Sequence, residues 1–359
     1  MSRPERPQIR YICACAAELC KKFGNAAFFW AKAGDCPLRR RAKNRYNADI
    51  EWRSFGLSRE RERNAMKTYH ILFNPHAGNG RGEEEAHKLD TLLAGTLVYH
   101  NMTEIADYED FLRTAPADED LVLCGGDGTI NRFLNDTAGV GIPNELLYFG
   151  IGSGNDFLHD LGMEKGAAPF PVKKYLENLP TVTVKGRSYR FLNGIGYGID
   201  GYCCEEGDRL RATSTKPVNY TGIAIKGLLF HFHPANAEVI VDGVSHSYRK
   251  VWLAPTMNGR YYGGGMEVAP AQDRLNAARK QSVVVMYGSG KLKTLIVFPS
   301  IFKGEHVKHT EMVEVLTGHE ITVKFDRPCA LQIDGETILG VTEYTVTSGV
   351  PAAAQATEA

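Results

Sequence analysis

The chain lacks any apolar run long enough to cross a membrane. A spanning helix needs about 20 consecutive apolar residues, and none of the runs here approaches that length. Any contact with lipid would therefore be made from the surface. With 359 residues, 43% hydrophobic and 23% charged, the composition is typical of a globular protein, and the length suits two domains.

The cysteines also lack the spacing that is typical of a metal site. Four of the eight cysteines lie before residue 37 and match no zinc-binding pattern. The other four lie in apolar or strand-like segments, which favours free thiols and a reducing, cytoplasmic location. They are Cys124, Cys203, Cys204 and Cys329.

The chain has no net charge, but its two parts differ. Residues 1–65 hold 15 Lys and Arg against 7 Asp and Glu, a net of +8, and the remainder carries −8. The acidic residues dilute the basic segment, so we expect no nucleic-acid partner. Met66 is followed at once by a strand-like segment. We therefore interpret residues 1–65 as a disordered basic extension or a misassigned start, and we expect residues 348–359 to form a disordered tail.

The segment Leu121–Thr129 is the central feature of the remaining sequence. Apolar residues of strand type lead into three glycines around Asp127, and a helical pattern follows Thr129. Such a loop at a helix start leaves amide groups free to bind an anion. Asp127 would repel a bare phosphate, so its presence indicates a magnesium-bound nucleotide or proton transfer. A glycine-rich hairpin turn is the plainer alternative.

Two similar loops follow other predicted strands. Asn74–Gly82 follows the strand Tyr69–Phe73, and Gly152–Phe157 follows the strand Leu146–Ile151. Strands that alternate with helices predict a doubly wound parallel sheet over residues 66–180. Because ligands of such sheets bind beyond the carboxyl ends of the strands, we expect the three loops to converge.

The pattern changes near Thr181. Short strand-like segments separated by turn residues predict a β-rich sandwich over residues 181–347. Val218–His231 and Lys291–Phe302 are the helical exceptions.

In their order and spacing, these motifs resemble the diacylglycerol kinase catalytic domain family, which includes bacterial soluble lipid kinases and sphingosine kinases. The resemblance covers Met66 to about Thr347. The motifs are Asn74–Gly78 (NPHAG), Gly125–Thr129 (GGDGT), Gly152–Phe157 (GSGNDF), Asn193–Asp200 (NGIGYGID), Gly263–Met266 (GGGM) and Asp334–Glu336 (DGE).

The resemblance implies an ATP-dependent kinase that phosphorylates a diacylglycerol-like lipid, with its active site in a cleft between the two domains. Glu336 matches the general base of the family, and Asp127 and Asp156 would handle magnesium directly or through water. Without the family, Asp334–Glu336 would be interpreted as a hairpin turn. The residues that would contact nucleotide are Asn74, Pro75, Gly78, Thr103, Gly125, Gly126, Asp127, Gly128, Thr129, Ser153, Asn155 and Asp156.

One departure concerns an accessory magnesium site of the relatives. Where relatives often carry an Asp-Gly pair, this chain has Arg279 and Lys280, so a cationic side chain could replace the ion. Asp273 is a weak substitute ligand. Arg132 either faces the phosphates or is a solvated helix residue.

The acceptor is not readable from the sequence, and two other functions stay open: a soluble kinase of the NAD type and a non-catalytic nucleotide-binding regulator. The lipid partner implies peripheral contact with a membrane, for which Lys291–Lys303 is the best candidate segment, although a core helix would show the same pattern. A homodimer is also left open.

Overall fold

The computed structural model describes residues 67–349, apart from 153 and 214–217. The expected N-terminal extension, most of the expected tail and Ser153 lie outside the described residues. The first region contains a five-stranded sheet, with strand order β2-β1-β3-β4-β5. Strands β1 to β4 are parallel, and the short β5 is antiparallel to β4. The strands are β1 Thr68–Phe73, β2 Thr96–Asn101, β3 Asp120–Gly125, β4 Leu146–Gly150 and β5 Phe170–Pro171.

Helices cover both faces of this sheet. Side chains of a strand point alternately to its two faces, and each face has its own buried cluster: Ile71 and Val122 pack with Leu89, and Leu123 packs with Phe133 on the other face. The doubly wound arrangement predicted from the sequence is therefore confirmed. The helical segments are α1 Ala77–Gly80, α2 Gly82–Ala86, α3 Leu89–Leu92, α4 Tyr108–Thr114, α5 Asp127–Asp136, α6 Asp156–Asp160 and α7 Lys173–Leu176.

The second region is built on a ten-stranded antiparallel sheet. Its longest strand, β16, pairs with β8, β9 and β17. A separate two-stranded ribbon joins β12 and β13. The strands are β6 Thr181–Val184, β7 Arg187–Arg190, β8 Gly194–Tyr197, β9 Ala235–Val241, β10 Val244–Val251, β11 Thr256–Met257, β12 Tyr261–Tyr262, β13 Met266–Glu267, β14 Gln281–Met286, β15 Val313–Gly318, β16 Glu320–Ile333 and β17 Glu336–Thr347.

The helices of this region cover one side of the sheet. They are α8 Ile199–Thr213, α9 Tyr220–Lys226 with a π-helical turn at Gly227–His231, and α10 Lys291–Val297 with 3₁₀ turns at Phe298–Lys303 and Glu305–Lys308. The two predicted helical segments are therefore helical, whereas α8 was not predicted. No described helix is long and apolar enough to cross a membrane.

Candidate active site

The three glycine-rich loops lie against one another at the carboxyl edge of the parallel sheet. Asn74 Nδ2 donates to Thr129 Oγ1 over 3.1 Å, which joins the first loop to the central loop. The central and third loops approach so closely that a Cβ on Gly152 would lie 2.4 Å from Gly126 Cα. The packing of these loops therefore requires glycine at both positions.

Other parts of the loops stay open to a ligand. A Cβ on Gly128 or Gly154 would meet no atom within 4 Å. Gly128 lies in the first turn of α5, where amide groups lack intrahelical partners. Asn155 Oδ1 is buried without a hydrogen-bond partner among the described residues. Free amides suit phosphate oxygens, and a free acceptor suits a hydroxyl or amino group, so the loops fit a nucleotide.

Asp127 and Asp156 tie this edge of the sheet together. The amides of Asp156 and Phe157 donate to the Asp127 carboxylate over 2.7 and 3.3 Å, so Asp127 caps the first turn of α6. The Asp156 carboxylate accepts in turn from the amides of Gly264 and Gly265, over 2.9 and 2.6 Å. Both aspartates therefore have a structural role, and Asp156 links the first region to the second.

The electrostatics of this pair favour a positively charged ligand. Burial, together with the negative charge of Asp156, raises the pKa of Asp127 to about 8 against the opposing amide hydrogen bonds. Burial also raises the pKa of Asp156. The negative charge of Asp334 also raises the pKa of both carboxyls. A cation beside them would relieve this repulsion and favour the ionised forms.

Magnesium fits this pair only as part of a nucleotide complex. The described residues contain no group of three or more His, Cys, Asp or Glu side chains that could hold a metal. Moreover, the carboxylate oxygens of Asp127 and Asp156 already accept backbone amides. Phosphate oxygens and water would have to supply most of the ligands, which is usual for magnesium.

The segment that carries Glu336 is a two-residue hairpin turn. Asp334 and Gly335 adopt φ of 45° and 98°, and Ile333 pairs with Glu336 across the turn. Hairpin turns of this length need positive φ at both central residues, which aspartate and glycine tolerate. The interpretation as a hairpin is thus correct, and the turn places Glu336 at the start of β17.

Asp334 fastens this turn to the first region. Its carboxylate accepts from the amides of Leu192, Asn193 and Gly194 over 2.5, 2.8 and 3.0 Å. It also accepts from Asn131 Nδ2 over 2.8 Å. Asn131 belongs to α5, the helix that begins at the central loop. One half-buried residue, Asp334, therefore connects the helix of the predicted nucleotide loop to the strand that carries the predicted base.

Glu336 itself is exposed and makes no ion pair with the described residues. It lies beside α8, since the hydroxyl of the next residue, Thr337, donates to Asp208 Oδ2 over 2.6 Å. Burial raises the pKa of the Cys204 thiol in α8, and the charges of Asp200, Asp208 and Glu336 raise it in the same direction. Asp200 is buried beside Tyr262, and burial raises its pKa to about 7. A second carboxyl thus lies in this area. Sequence reasoning gave it no role, although it directly follows a glycine-rich strand.

Arg274 provides a buried positive charge at the junction of the two regions. Its guanidinium pairs with Asp160 and donates to Leu192 O and Asn193 Oδ1 over 3.3 and 3.0 Å. It also lies 4.7 Å from the centre of the Phe157 ring. The end of α6 is thereby held against the segment that precedes β8.

The basic residues that replace the Asp-Gly pair of the relatives do not provide this buried charge. Arg279 and Lys280 are only half-buried, and Arg279 donates to the carbonyl of Arg274 over 3.5 Å. Asp273 is exposed and accepts the amide of Leu275. The buried positive charge of this area is therefore that of Arg274.

The remaining predicted residues lie at the edge of the site. Pro75 accepts the amide of Gly82 over 3.3 Å and so shapes the first loop. Thr103 is exposed, and its hydroxyl donates to Asn101 Oδ1 rather than to one of the three loops. Arg132 is exposed and pairs with Asp136 one turn further along α5. This pairing favours the interpretation of Arg132 as a solvated helix residue.

Comparison with known proteins gives two family matches in succession. Residues 68–183 match the diacylglycerol kinase catalytic domain, and residues 193–355 match the YegS C-terminal NAD kinase beta sandwich-like domain. Residues 68–183 thus resemble the catalytic domain of diacylglycerol kinases. The resemblance predicted from the loop motifs is thereby confirmed, and the matches support a kinase.

Individual relatives agree with this domain organisation. The chain is 27% identical to a diacylglycerol kinase of Mycobacterium tuberculosis over 271 residues, which cover 72% of this chain and 84% of the relative. It is 23% identical over 310 residues to YtlR of Bacillus subtilis, named as a candidate lipid kinase, with 79% and 97% covered. A solved structure named as a candidate diacylglycerol kinase from Bacillus anthracis shares the fold, with a TM-score of 0.54, 19% identity, and 80% and 96% of the chains covered.

Proposed function

We propose that the protein transfers the γ-phosphate of ATP to the hydroxyl group of a diacylglycerol-like lipid, giving a phosphatidic-acid-like product. The family match and the named relatives support a lipid acceptor. The observation that carries the proposal is the bond from Asn131 to Asp334. It holds the turn before Glu336 beside the loops that fit a nucleotide.

The chemistry needs few groups. Phosphoryl transfer depends mainly on positioning and on charge stabilisation at the phosphates. The open amides at Gly128 and the free acceptor of Asn155 would bind the nucleotide. The lipid hydroxyl would attack the γ-phosphorus and the bond to the leaving ADP oxygen would break. Glu336 would accept the hydroxyl proton as general base.

Asp127 and Asp156 would face the metal that accompanies the nucleotide. Bound magnesium would neutralise charge on the transferred phosphoryl group. The two carboxylates would meet it mainly through water, because their oxygens also accept the backbone amides that shape the site. The same residues would thus support the loops and balance the charge of the ligand.

An acceptor panel tests the proposal. Purified protein is supplied with γ-labelled ATP and magnesium and offered dispersed diacylglycerol, a sphingoid base or NAD in separate reactions. We expect a labelled lipid with diacylglycerol. Formation of NADP would instead favour the NAD-type kinase. ATP binding without transfer to any acceptor would favour the non-catalytic regulator.

A further inference from the structure

The second region exposes several large apolar side chains on two helical segments. The exposed fractions are 43% for Ile225, 67% for Phe230, 72% for Leu292, 70% for Ile296 and 45% for Phe302. Leu292 and Ile296 lie four residues apart and therefore project from the same face of α10. We call these five residues the outer apolar patch.

The two segments that carry the patch are neighbours. Lys291 Nζ, at the start of α10, donates to Leu229 O in the π-helical turn over 3.1 Å. Their inner side chains, including Leu228, Val297 and Phe298, belong to one buried cluster. Single exposed apolar residues are ordinary. A contiguous group on adjoining segments instead indicates an interaction surface.

The two segments that carry the patch bear charge of one sign. Residues 218–233 and 291–303 contain no Asp or Glu, although residues 66–359 carry a net charge of −8. Lys226 and Lys303 are exposed and form no ion pair within the described part of the chain. Lys293 is the paired exception, with its Nζ 2.9 Å from Glu311 Oε1. Exposed apolar side chains bordered by unpaired lysines complement an anionic, apolar partner.

We propose that the outer apolar patch is the surface by which the protein docks on an anionic lipid bilayer. This inference rests on the proposed function, since a diacylglycerol-like acceptor is held in a bilayer. The apolar side chains would enter the region between headgroups and acyl chains, and the lysines would meet the anionic headgroups. A second copy of the chain fits less well, because a two-fold contact would bring the lysines together.

The position of the patch suits delivery of the lipid to the site. Gly227 begins the π-helical turn and lies close to α8. A Cβ on Gly227 would be 2.7 Å from Tyr202 and 3.0 Å from Ile199 of that helix. Ile199 precedes Asp200, and α8 also contacts the start of β17, where Thr337, next to Glu336, donates to Asp208 over 2.6 Å. Docking through the patch would therefore bring this part of the predicted acceptor site to the membrane surface.

Cosedimentation with vesicles tests the docking surface without ATP. The probes are the wild-type chain, a variant with Leu292→Glu and Ile296→Glu, and a control with Val244→Glu and Leu339→Glu. The control positions are 60% and 55% exposed and lie on the antiparallel sheet. On vesicles of phosphatidylcholine with phosphatidylglycerol, we expect the first variant to partition at least about tenfold more weakly than wild type. The control should stay within about twofold of wild type.

Two further results distinguish a lipid bilayer from a second copy of the chain as the partner of the patch. Wild-type binding should weaken on pure phosphatidylcholine vesicles and with added salt, because the lysines act by charge. Equal binding of the patch variant and wild type would overturn the proposal. A wild-type dimer that dissociates in the patch variant, with vesicle binding unchanged, would assign the patch to a second copy instead.

The test separates this inference from the proposed function. Transfer by the wild-type chain to diacylglycerol dispersed in detergent reports on the function alone. If that transfer occurs and the patch variant binds vesicles normally, the docking surface is wrong and the function stands. If no lipid is phosphorylated although vesicle binding follows the expected pattern, the proposed function is wrong.

Discussion

Replacing Asn131 by alanine should uncouple the turn before Glu336 from the predicted nucleotide loop. Asn131 is 7% exposed and donates over 2.8 Å to the charged Asp334 carboxylate. Loss of one hydrogen bond to a charged group costs about 1.5–3 kcal/mol. Asp334 retains its three amide donors, so the hairpin should still form. For a protein of this size, we expect the melting temperature to fall by about 5 °C.

Activity should fall more than stability. The remaining contacts leave the turn free to shift against α5, and a displacement of about 1 Å can cost about a hundredfold in rate. We therefore expect kcat with ATP and dispersed diacylglycerol to fall at least about tenfold, with KM for ATP nearly unchanged. The measurement is steady-state release of ADP together with thermal unfolding.

Asn135→Ala is the matched control. Asn135 lies one turn further along α5 and exchanges two hydrogen bonds with the backbone of Arg190, over 3.0 and 2.9 Å. Its Nδ2 also donates to Asn131 O and Asn131 Oδ1 over 2.9 and 3.3 Å, but it has no bond to Asp334. Its loss should cost similar stability and leave kcat close to wild type. If Asn131→Ala keeps the wild-type kcat, or both variants lose activity equally, then the bond from Asn131 to Asp334 does not position Glu336.

Two further predictions concern the loops. Gly152→Ala should abolish nucleotide binding in calorimetry and lower the melting temperature, because the added Cβ would lie 2.4 Å from Gly126 Cα, whereas Gly154→Ala, with open space around it, should keep the wild-type melting temperature. Asp127 has a pKa near 8 in the folded protein against its usual 3.8. The folded state therefore favours the protonated carboxyl, and the stability that this preference contributes is complete at low pH and is lost as the pH rises to 8. The wild-type melting temperature should therefore fall between pH 5 and 8 more steeply than that of Asp127→Asn, and parallel slopes would refute this assignment.

The sequence was most informative where local chemistry determines structure. Strand-like segments that end in glycine-rich loops predicted the parallel sheet, and strand ends of a parallel sheet share one edge. The convergence of Asn74, Gly126 and Gly152 follows from this rule and from the small size of glycine. The hairpin at Asp334 was also readable, since the dipeptide Asp-Gly favours that turn.

Contacts between distant segments were not readable. Asp334 and Arg274 are ordinary charged residues in the sequence, and only the meeting of the two regions gives them buried partners. The spacing of Leu292 and Ile296 predicts an amphipathic helix but does not say which face is covered. In the structure, Thr294 and Val297 are buried and the larger pair faces outward, because the core lies on the opposite side of α10.

Kinetics of Glu336→Gln against Glu343→Gln test the central claim most directly. Both glutamates are exposed on β17, so both variants should keep the wild-type melting temperature and affinity for ATP. Removal of a general base costs about 10²–10⁴ in rate. The account predicts a loss of kcat of this size for Glu336→Gln on dispersed diacylglycerol and no loss for Glu343→Gln. Wild-type kcat in Glu336→Gln would contradict it.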